Sequence, residues 1–145
     1  MTLEAPPTQQ PLVDQGGGTN MLWLLFFNGL FNGDAGVAWT PLISGLTNTG
    51  AVPVAAGRVY KLNNYLTMFR LTIVPSNGGT TTSVAGTTYV NNFPYIMSGD
   101  GLCGSVANKL GGSLGMCEQA TNKIWLPSWT TVGAAVSVIG LVEAS

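Results

Sequence analysis

Residues 21–31, MLWLLFFNGLF, form an apolar run that only one asparagine and one glycine interrupt. Such a run serves as a membrane anchor, a buried core helix or a subunit interface. A helix that crosses a bilayer core needs about 20 apolar residues, so this run is too short to span a membrane. The sequence therefore predicts that other parts of a protein assembly cover the run.

The residues around the run carry the start and stop signals of a helix. Thr19 or Asn20 can cap its first turn through a side-chain oxygen, and Gly33 can end it in the left-handed conformation. We therefore predict a short apolar helix at residues 21–33. At helical spacing its large side chains fall into two stripes, one of Trp23, Phe26, Phe27 and Leu30 and the other of Leu24 and Phe31.

This predicted helix is apolar nearly all round, so it must be buried on several sides. One small β domain can cover one side, and identical helices packed about a symmetry axis can cover another. We therefore predict an assembly helix. Two alternatives stay open: a helix buried within its own monomer, and a strand, because aromatic runs also occur in strands.

Charged residues are scarce in the chain. Asp, Glu, Lys and Arg make up 8% of its 145 residues, against about 25% in an average soluble protein. Six acidic and five basic residues leave a net charge of −1. With no basic cluster, neither nucleic acid nor a membrane surface is an expected partner. A surface so poor in charge associates readily, so we expect copies of the chain or a larger particle to cover much of it.

Residues 1–20 are predicted to form an extended attachment arm. The segment APPTQQP favours polyproline-like backbone, and QGGGTN is flexible. Leu12 and Val13 add a small apolar spot that can dock in a groove of a partner; a frayed terminus is the alternative interpretation. The opening residues MTLEAPPTQQ lack the basic and apolar regions of a secretory signal, so none is expected.

From residue 37 onward the pattern is typical of β structure. Short strand candidates, among them FPYIM, alternate with turns rich in glycine, proline, threonine and asparagine. In NYLTMFRLTIV one face carries Tyr65, Thr67, Phe69, Leu71 and Ile73. The pair Asn63-Asn64 predicts a hairpin turn before this strand. We therefore predict a mainly β protein in which residues 36–145 form a β-sandwich or jelly-roll-like domain after the arm and the helix.

Residues suited to catalysis are few. The chain contains no histidine, which removes the commonest general base and the Ser-His and Cys-His nucleophiles. Asp34 and Asp100 lie in loops beside glycine, where aspartate is ordinarily a turn former rather than half of a glycosidase pair. The glycine-rich loops lack the lysine of a phosphate loop. We predict no enzymatic activity, no catalytic residue and no cofactor.

Two cysteines, Cys103 and Cys117, lack the additional ligands that a zinc site requires. No metal site is therefore predicted. The two thiols are interpreted as small buried hydrophobes. A disulfide between them is the alternative, which a reducing compartment disfavours.

Two tryptophans near the end of the sequence, Trp125 and Trp129, flank the residues LPS. They are a candidate platform on which a sugar ring can stack. Tryptophans in such a pattern more often belong to a core or an interface. We favour the second interpretation and keep the first as the only candidate ligand site in the sequence.

Together, these features resemble small virion proteins of tailed bacteriophages, of the fibre, spike and decoration type. The resemblance lies in PLVDQGGGTNMLWLLFFNGLFNGDAGVAWTP, a proline-bearing arm and short apolar helix before the β part. The segments AGTTYVNNFP and VSVIGLVEAS are similar to pieces of compact β domains that end phage fibres. These segments cover about half of the chain, and none of them carries a catalytic residue.

The resemblance implies a structural protein that is assembled in the host cytoplasm and becomes part of the virion. In such proteins the arm typically attaches to the particle, the subunits are commonly trimeric, and the β domain faces outward. The expected partners are other copies of the chain and virion proteins of the capsid, portal or tail. The predicted assembly interface consists of Leu12, Val13, Trp23, Phe26, Phe27, Leu30 and Phe31.

The alternative function is a receptor- or carbohydrate-binding module at the tip of a phage fibre. Its partner would be a glycan or receptor of the host surface. The distal β loops would then form the site, with Trp125 and Trp129 as its candidate residues.

Overall fold

The computed structural model describes residues 36–107 and 110–144. The predicted arm at residues 1–20 and the predicted helix at residues 21–33 lie outside the described residues. So do all seven residues of the predicted assembly interface. In the described part of the chain, no helix is long and apolar enough to cross a bilayer.

The described residues contain twelve strands and one 3-10 turn at Gln119–Thr121. The strands are β1 (Val37–Trp39), β2 (Ile43–Ser44), β3 (Thr47–Asn48), β4 (Val54–Lys61), β5 (Leu66–Val74), β6 (Thr80–Ser83), β7 (Tyr89–Val90), β8 (Gly101–Ala107), β9 (Leu110–Glu118), β10 (Lys123–Trp125), β11 (Trp129–Val132) and β12 (Val136–Glu143). The prediction of a mainly β protein is confirmed for the described residues, whose first strand begins at Val37.

All strand pairs are antiparallel, and they form two sheets of unequal size. The larger sheet has the order β1-β4-β5-β12-β8-β9-β10-β7-β2, and the smaller has the order β11-β6-β3. Strand β12 lies between β5 and β8, so it joins the two halves of the larger sheet.

The larger sheet is strongly curled, as the link between its two edge strands requires. Strands β1 and β2 lie at opposite edges, yet only residues 40–42 separate them in the sequence. Nine strands laid flat would place the edges about 38 Å apart at the usual strand spacing. The chain from Trp39 to Ile43 reaches at most about 14 Å. The sheet therefore bends round until its edges approach each other.

Strand β5 shows how alternation in the sequence sets the buried face. Thr67, Phe69, Leu71 and Ile73 are fully buried, whereas Arg70 is exposed. These residues face the inside of the curled sheet, where β12 contributes Val136, Val138 and Val142 at the same depth. The predicted inward face of this strand is thus confirmed, except that Tyr65 precedes the strand and is exposed.

Phe93 lies at the centre of an aromatic cluster in the core. Its ring is 5.7 Å from that of Trp39 and 5.6 Å from that of Phe69, and both contacts are edge-to-face. The ring of Tyr95 lies 6.3 Å away. Phe93 belongs to the segment between β7 and β8, so this segment packs against strands from one end of the sheet.

The turns follow local side-chain chemistry. The predicted hairpin between β4 and β5 is present, and the side chain of Asn63 accepts hydrogen bonds from the backbone N–H groups of Tyr65 and Leu66. Between β5 and β6, Asn77 and Gly78 both have positive φ. Asparagine and glycine tolerate that conformation best, and it lets the chain reverse within two residues.

Two elements differ from the sequence-based expectations. The segment FPYIM was predicted as a strand but forms only an isolated bridge between Met97 and Ala144; its Pro94 lacks the N–H that a ladder needs. Strand β11 was not predicted. It buries Trp129 and Thr131 and pairs with β6 in the smaller sheet.

Candidate functional site

A groove of about 480 Å³ opens beside Trp125, and we call it the Trp125 groove. The pairing of β10 with β9 and β7 forms its base, because Trp125 lies opposite Met116 on one side and Tyr89 on the other. The lining is mainly apolar, with one carboxylate. Lining side chains include Ala85, Leu114, Met116, Glu118, Trp125 and Leu126.

Aromatic rings and a lysine stack at one wall of the Trp125 groove. The rings of Tyr89 and Trp125 lie 5.1 Å apart. The amino group of Lys123 is 4.3 Å from the centre of the Tyr89 ring and 5.2 Å from that of Trp125, a range in which a cation is attracted to a ring face. Strand alternation places Lys123 and Trp125 on the same face of β10.

Glu118 fixes the orientation of Trp125. One of its carboxylate oxygens, Oε2, accepts a hydrogen bond from the indole N–H at 2.9 Å and another from the hydroxyl of Thr121. The bond from Thr121 lowers the pKa of Glu118 most, followed by the bond from Trp125 and then the charge of Lys123. Glu118 is therefore an ionised hydrogen-bond acceptor in the lining of the groove.

The two tryptophans of the predicted platform lie in different environments. Trp129 is 7% exposed and belongs to the core, and its indole N–H donates to the hydroxyl of Thr81 at 3.3 Å. Trp125 is half-buried and lines the groove. Of the pair, only Trp125 presents part of its ring to a ligand.

Sequence reasoning did not single out Tyr89, Glu118 or Lys123. Spacing within NKIW indicates that Lys123 and Trp125 share a face, so Lys123 was detectable. Tyr89 is 36 positions from Trp125, and only the pairing of β7 with β10 brings them together.

A second groove of about 590 Å³ lies at the β1 edge of the larger sheet. Its lining includes Trp39, Thr40, Arg58, Tyr60, Arg70 and Thr72. Arg58 and Arg70 are directly opposite each other on β4 and β5. The buried indole N–H of Trp39 has no hydrogen-bond partner among the described residues. The lining of this groove therefore combines two guanidinium groups with aromatic and hydroxyl side chains.

The two cysteines are free and buried. They lie diagonally on β8 and β9, because Cys103 is opposite Gly115 and Cys117 is opposite Gly101. The hydrogen bond with Cys103 and burial both raise the pKa of Cys117 well above its usual range. The thiol form is therefore favoured at Cys117, in keeping with the interpretation of these residues as small buried hydrophobes.

Of the two acidic residues that the sequence singled out, only Asp100 belongs to the described part of the chain. Asp34 lies outside the described residues. Asp100 accepts a hydrogen bond from the backbone N–H of Gln119 at 2.9 Å, so its carboxylate holds the start of the 3-10 turn. Within the described ranges, no three Cys, Asp or Glu residues come together as a metal site.

Comparisons with protein-family models, with curated proteins and with solved structures find no match to this chain. Its function therefore has to follow from the chemistry of these surfaces and from the sequence resemblance.

Proposed function

We propose that the chain is a structural protein of a tailed bacteriophage virion, either a short fibre or a decoration protein. In this proposal it is a homotrimer, assembled in the host cytoplasm. Residues 1–33 attach it to the particle, and the β domain faces outward. It has no catalytic role.

The observation that carries this proposal is the composition of the described surface. Fourteen large apolar side chains are exposed, whereas the described residues include only four basic and three acidic ones. The exposed side chains are distributed over several strands and loops, so a single contact cannot cover them all. Among them are Leu42, Val52, Val84, Ile96 and Val132, which are 50% to 80% exposed. Such a surface suits a subunit that neighbours surround in a particle.

The fold suits the outward position in this proposal. The curled sheet and the three-stranded sheet would serve as the two layers of a sandwich-like or jelly-roll-like domain. Most of its hydrophobic core lies in the nine-stranded sheet, where the long strands β4, β5 and β12 pair over eight residues each.

The proposal is tested by oligomeric state and by incorporation into particles. We expect light scattering to show a trimer at micromolar concentration. Deletion of residues 2–18 should leave a folded β domain, because the described core uses none of them, yet the shortened chain should not enter particles. Normal incorporation of the shortened chain, or a monomeric full-length chain, would contradict the proposal.

The second candidate is a carbohydrate- or receptor-binding module, and the Trp125 groove is the observation in its favour. The oriented ring of Trp125 and the adjacent apolar wall can stack on a sugar ring, and the ionised Glu118 can accept hydrogen bonds from its hydroxyl groups. We would screen the protein and its Trp125→Ala variant on a glycan array. The control is Tyr65→Ala, since Tyr65 is 75% exposed and does not line this groove. Equal binding by all three proteins would exclude the groove as the site.

A further inference from the structure

The side of the larger sheet that faces away from the core carries a patch of exposed apolar side chains on β12, β8 and β9. The patch, which we call the outer apolar face, consists of Leu102, Leu114, Met116, Ile139 and Leu141. These side chains are between 41% and 72% exposed. A sheet with one solvated face normally presents polar residues there.

Strand register makes the outer apolar face continuous. Leu141 is opposite Leu102, and Leu102 is opposite Met116. Two residues further along these strands, Gly104 of β8 lies opposite Ile139 of β12 on one side and Leu114 of β9 on the other. A side chain at position 104 would meet nothing nearer than Leu114, at 3.9 Å. The centre of the face is therefore a shallow depression between apolar walls.

The pattern of these strands is that of a sheet covered on both sides. In β12 the inward residues Val136, Val138 and Val142 alternate with the outward residues Ile139 and Leu141. Strands that are apolar on both faces occur where another layer packs on each side. The smaller sheet does not cover the outer apolar face, because all five side chains of that face remain exposed in the described part of the chain.

We infer that residues 21–31 of the same chain pack on the outer apolar face. This segment has no charged residue, so its side chains match an apolar surface without burying an unpaired charge. The described chain begins at Gly36, beside β1. From Gly36 back to Phe31 the chain spans at most about 17 Å. Strand β12 is three strands from β1, or about 14 Å across the sheet. The segment can thus reach the face.

Gly36 lies beside the row of outward residues that leads to the outer apolar face. Gly36 has φ +69°, and a Cβ there would lie 2.7 Å from the ring of Tyr60, so the backbone passes directly over that ring. Tyr60 begins the row that continues through Met68 and Leu141 to Leu102. A chain that crosses Tyr60 is therefore at the start of the row that leads into the outer apolar face.

The length of the segment fits the width of the face. Eleven residues in a helix extend about 16 Å, and β12, β8 and β9 with their side chains cover a similar width. A segment tethered four residues before Gly36 also has a high effective concentration at its own sheet, in the millimolar range for short linkers. The short tether favours the same chain over a second copy. The inference does not depend on the virion proposal, but a segment packed on Leu114 and Met116 would cover one wall of the Trp125 groove and so exclude a ligand there.

The test is photo-cross-linking in the full-length protein. Leu114 is replaced by the photoreactive amino acid p-benzoylphenylalanine, and cross-linked peptides are identified by mass spectrometry. A mixture of light and heavy isotope-labelled chains distinguishes contacts within one chain from contacts between chains. Val132 is the matched control, since it is 69% exposed against 72% for Leu114 but lies in the smaller sheet. Leu102 serves as a second position on the face.

We expect most cross-links from positions 114 and 102 to fall in residues 21–31 of the same chain, at least tenfold more than from position 132. Mixed light–heavy products at residues 21–31 would show that a second copy covers the face and would overturn the inference. Cross-links to other segments, or none from either position, would also overturn it.

Discussion

Gly140 of β12 lies directly opposite Phe69 of β5, and the phenyl ring occupies the space above the glycine. A Cβ at position 140 would lie 2.4 Å from the Cζ of Phe69 and 2.8 Å from the Cβ of Cys103. Phe69, the largest of the fully buried side chains, therefore fits only because the next strand has no side chain at position 140.

Gly140→Ala should lower the free energy of unfolding by about 1–3 kcal/mol, because the added methyl group overpacks the core. Urea unfolding measures this change. Gly104→Ala is the matched control: it is also a strand glycine, but its Cβ would have ordinary contact at 3.9 Å. Gly104→Ala should be neutral or slightly stabilising. Equal losses in both variants would show that Phe69 does not fill the space at Gly140.

Phe69→Ala should destabilise the fold by about 3–5 kcal/mol, the usual cost of removing a buried phenylalanine. Its side chain is 0% exposed and contacts the ring of Phe93. Val74→Ala, at an outward position of the same strand with 45% exposure, should change the stability by less than about 0.5 kcal/mol. A loss below about 1 kcal/mol for Phe69→Ala would mean that the strand register is wrong.

The indole N–H resonance of Trp125 should titrate with Glu118. Hydrogen bonds from Thr121 and Trp125 lower the pKa of Glu118 in the folded state, so the ionised form stabilises the fold. That contribution is present above the ordinary glutamate pKa and is lost as pH falls through the lower, folded value. We expect the resonance to shift in this acidic range by NMR. Glu118→Gln should abolish the shift, and a midpoint at or above the ordinary glutamate pKa would contradict the assignment.

The double variant Phe26→Glu with Leu30→Glu should run as a monomer in light scattering while circular dichroism still shows β structure. Charges on one stripe of the predicted assembly helix are costly to bury, and a closed ring would bring like charges together. The β domain has its own core and should survive. The control Phe26→Leu with Leu30→Met keeps the stripe apolar and should remain oligomeric. An oligomeric glutamate variant would exclude this stripe from the interface.

The sequence predicted most of the strands, because alternation is a local signal. Strand β5 is the clearest case, with Phe69, Leu71 and Ile73 buried as expected. The segment FPYIM was predicted as a strand from its apolar residues. Its Phe93 instead fills the centre of the core from an irregular segment, which depends on contacts with Trp39 and Phe69 from distant strands.

The candidate site was harder to predict than the strands. The core interpretation that was favoured for both tryptophans fits Trp129, which is buried and bonds to Thr81, whereas Trp125 lines a groove. The burial of Trp129 follows from the pairing of β11 with β6. In that pairing Trp129 lies opposite Ser83, which is 46 positions earlier in the sequence. Pairings over such distances have no local signal in one sequence, and they decide which ring reaches the surface.

The position of β12 has a consequence for how the chain acquires its fold. The two strands that flank it, β5 and β8, are synthesised long before it. Until β12 emerges from the ribosome, both have an open hydrogen-bonding edge and exposed apolar residues, which are a hazard for aggregation. The two halves of the larger sheet can therefore join only after β12 has been synthesised. Distant pairings of this kind slow folding, so a nascent chain would benefit from a chaperone that shields those two edges.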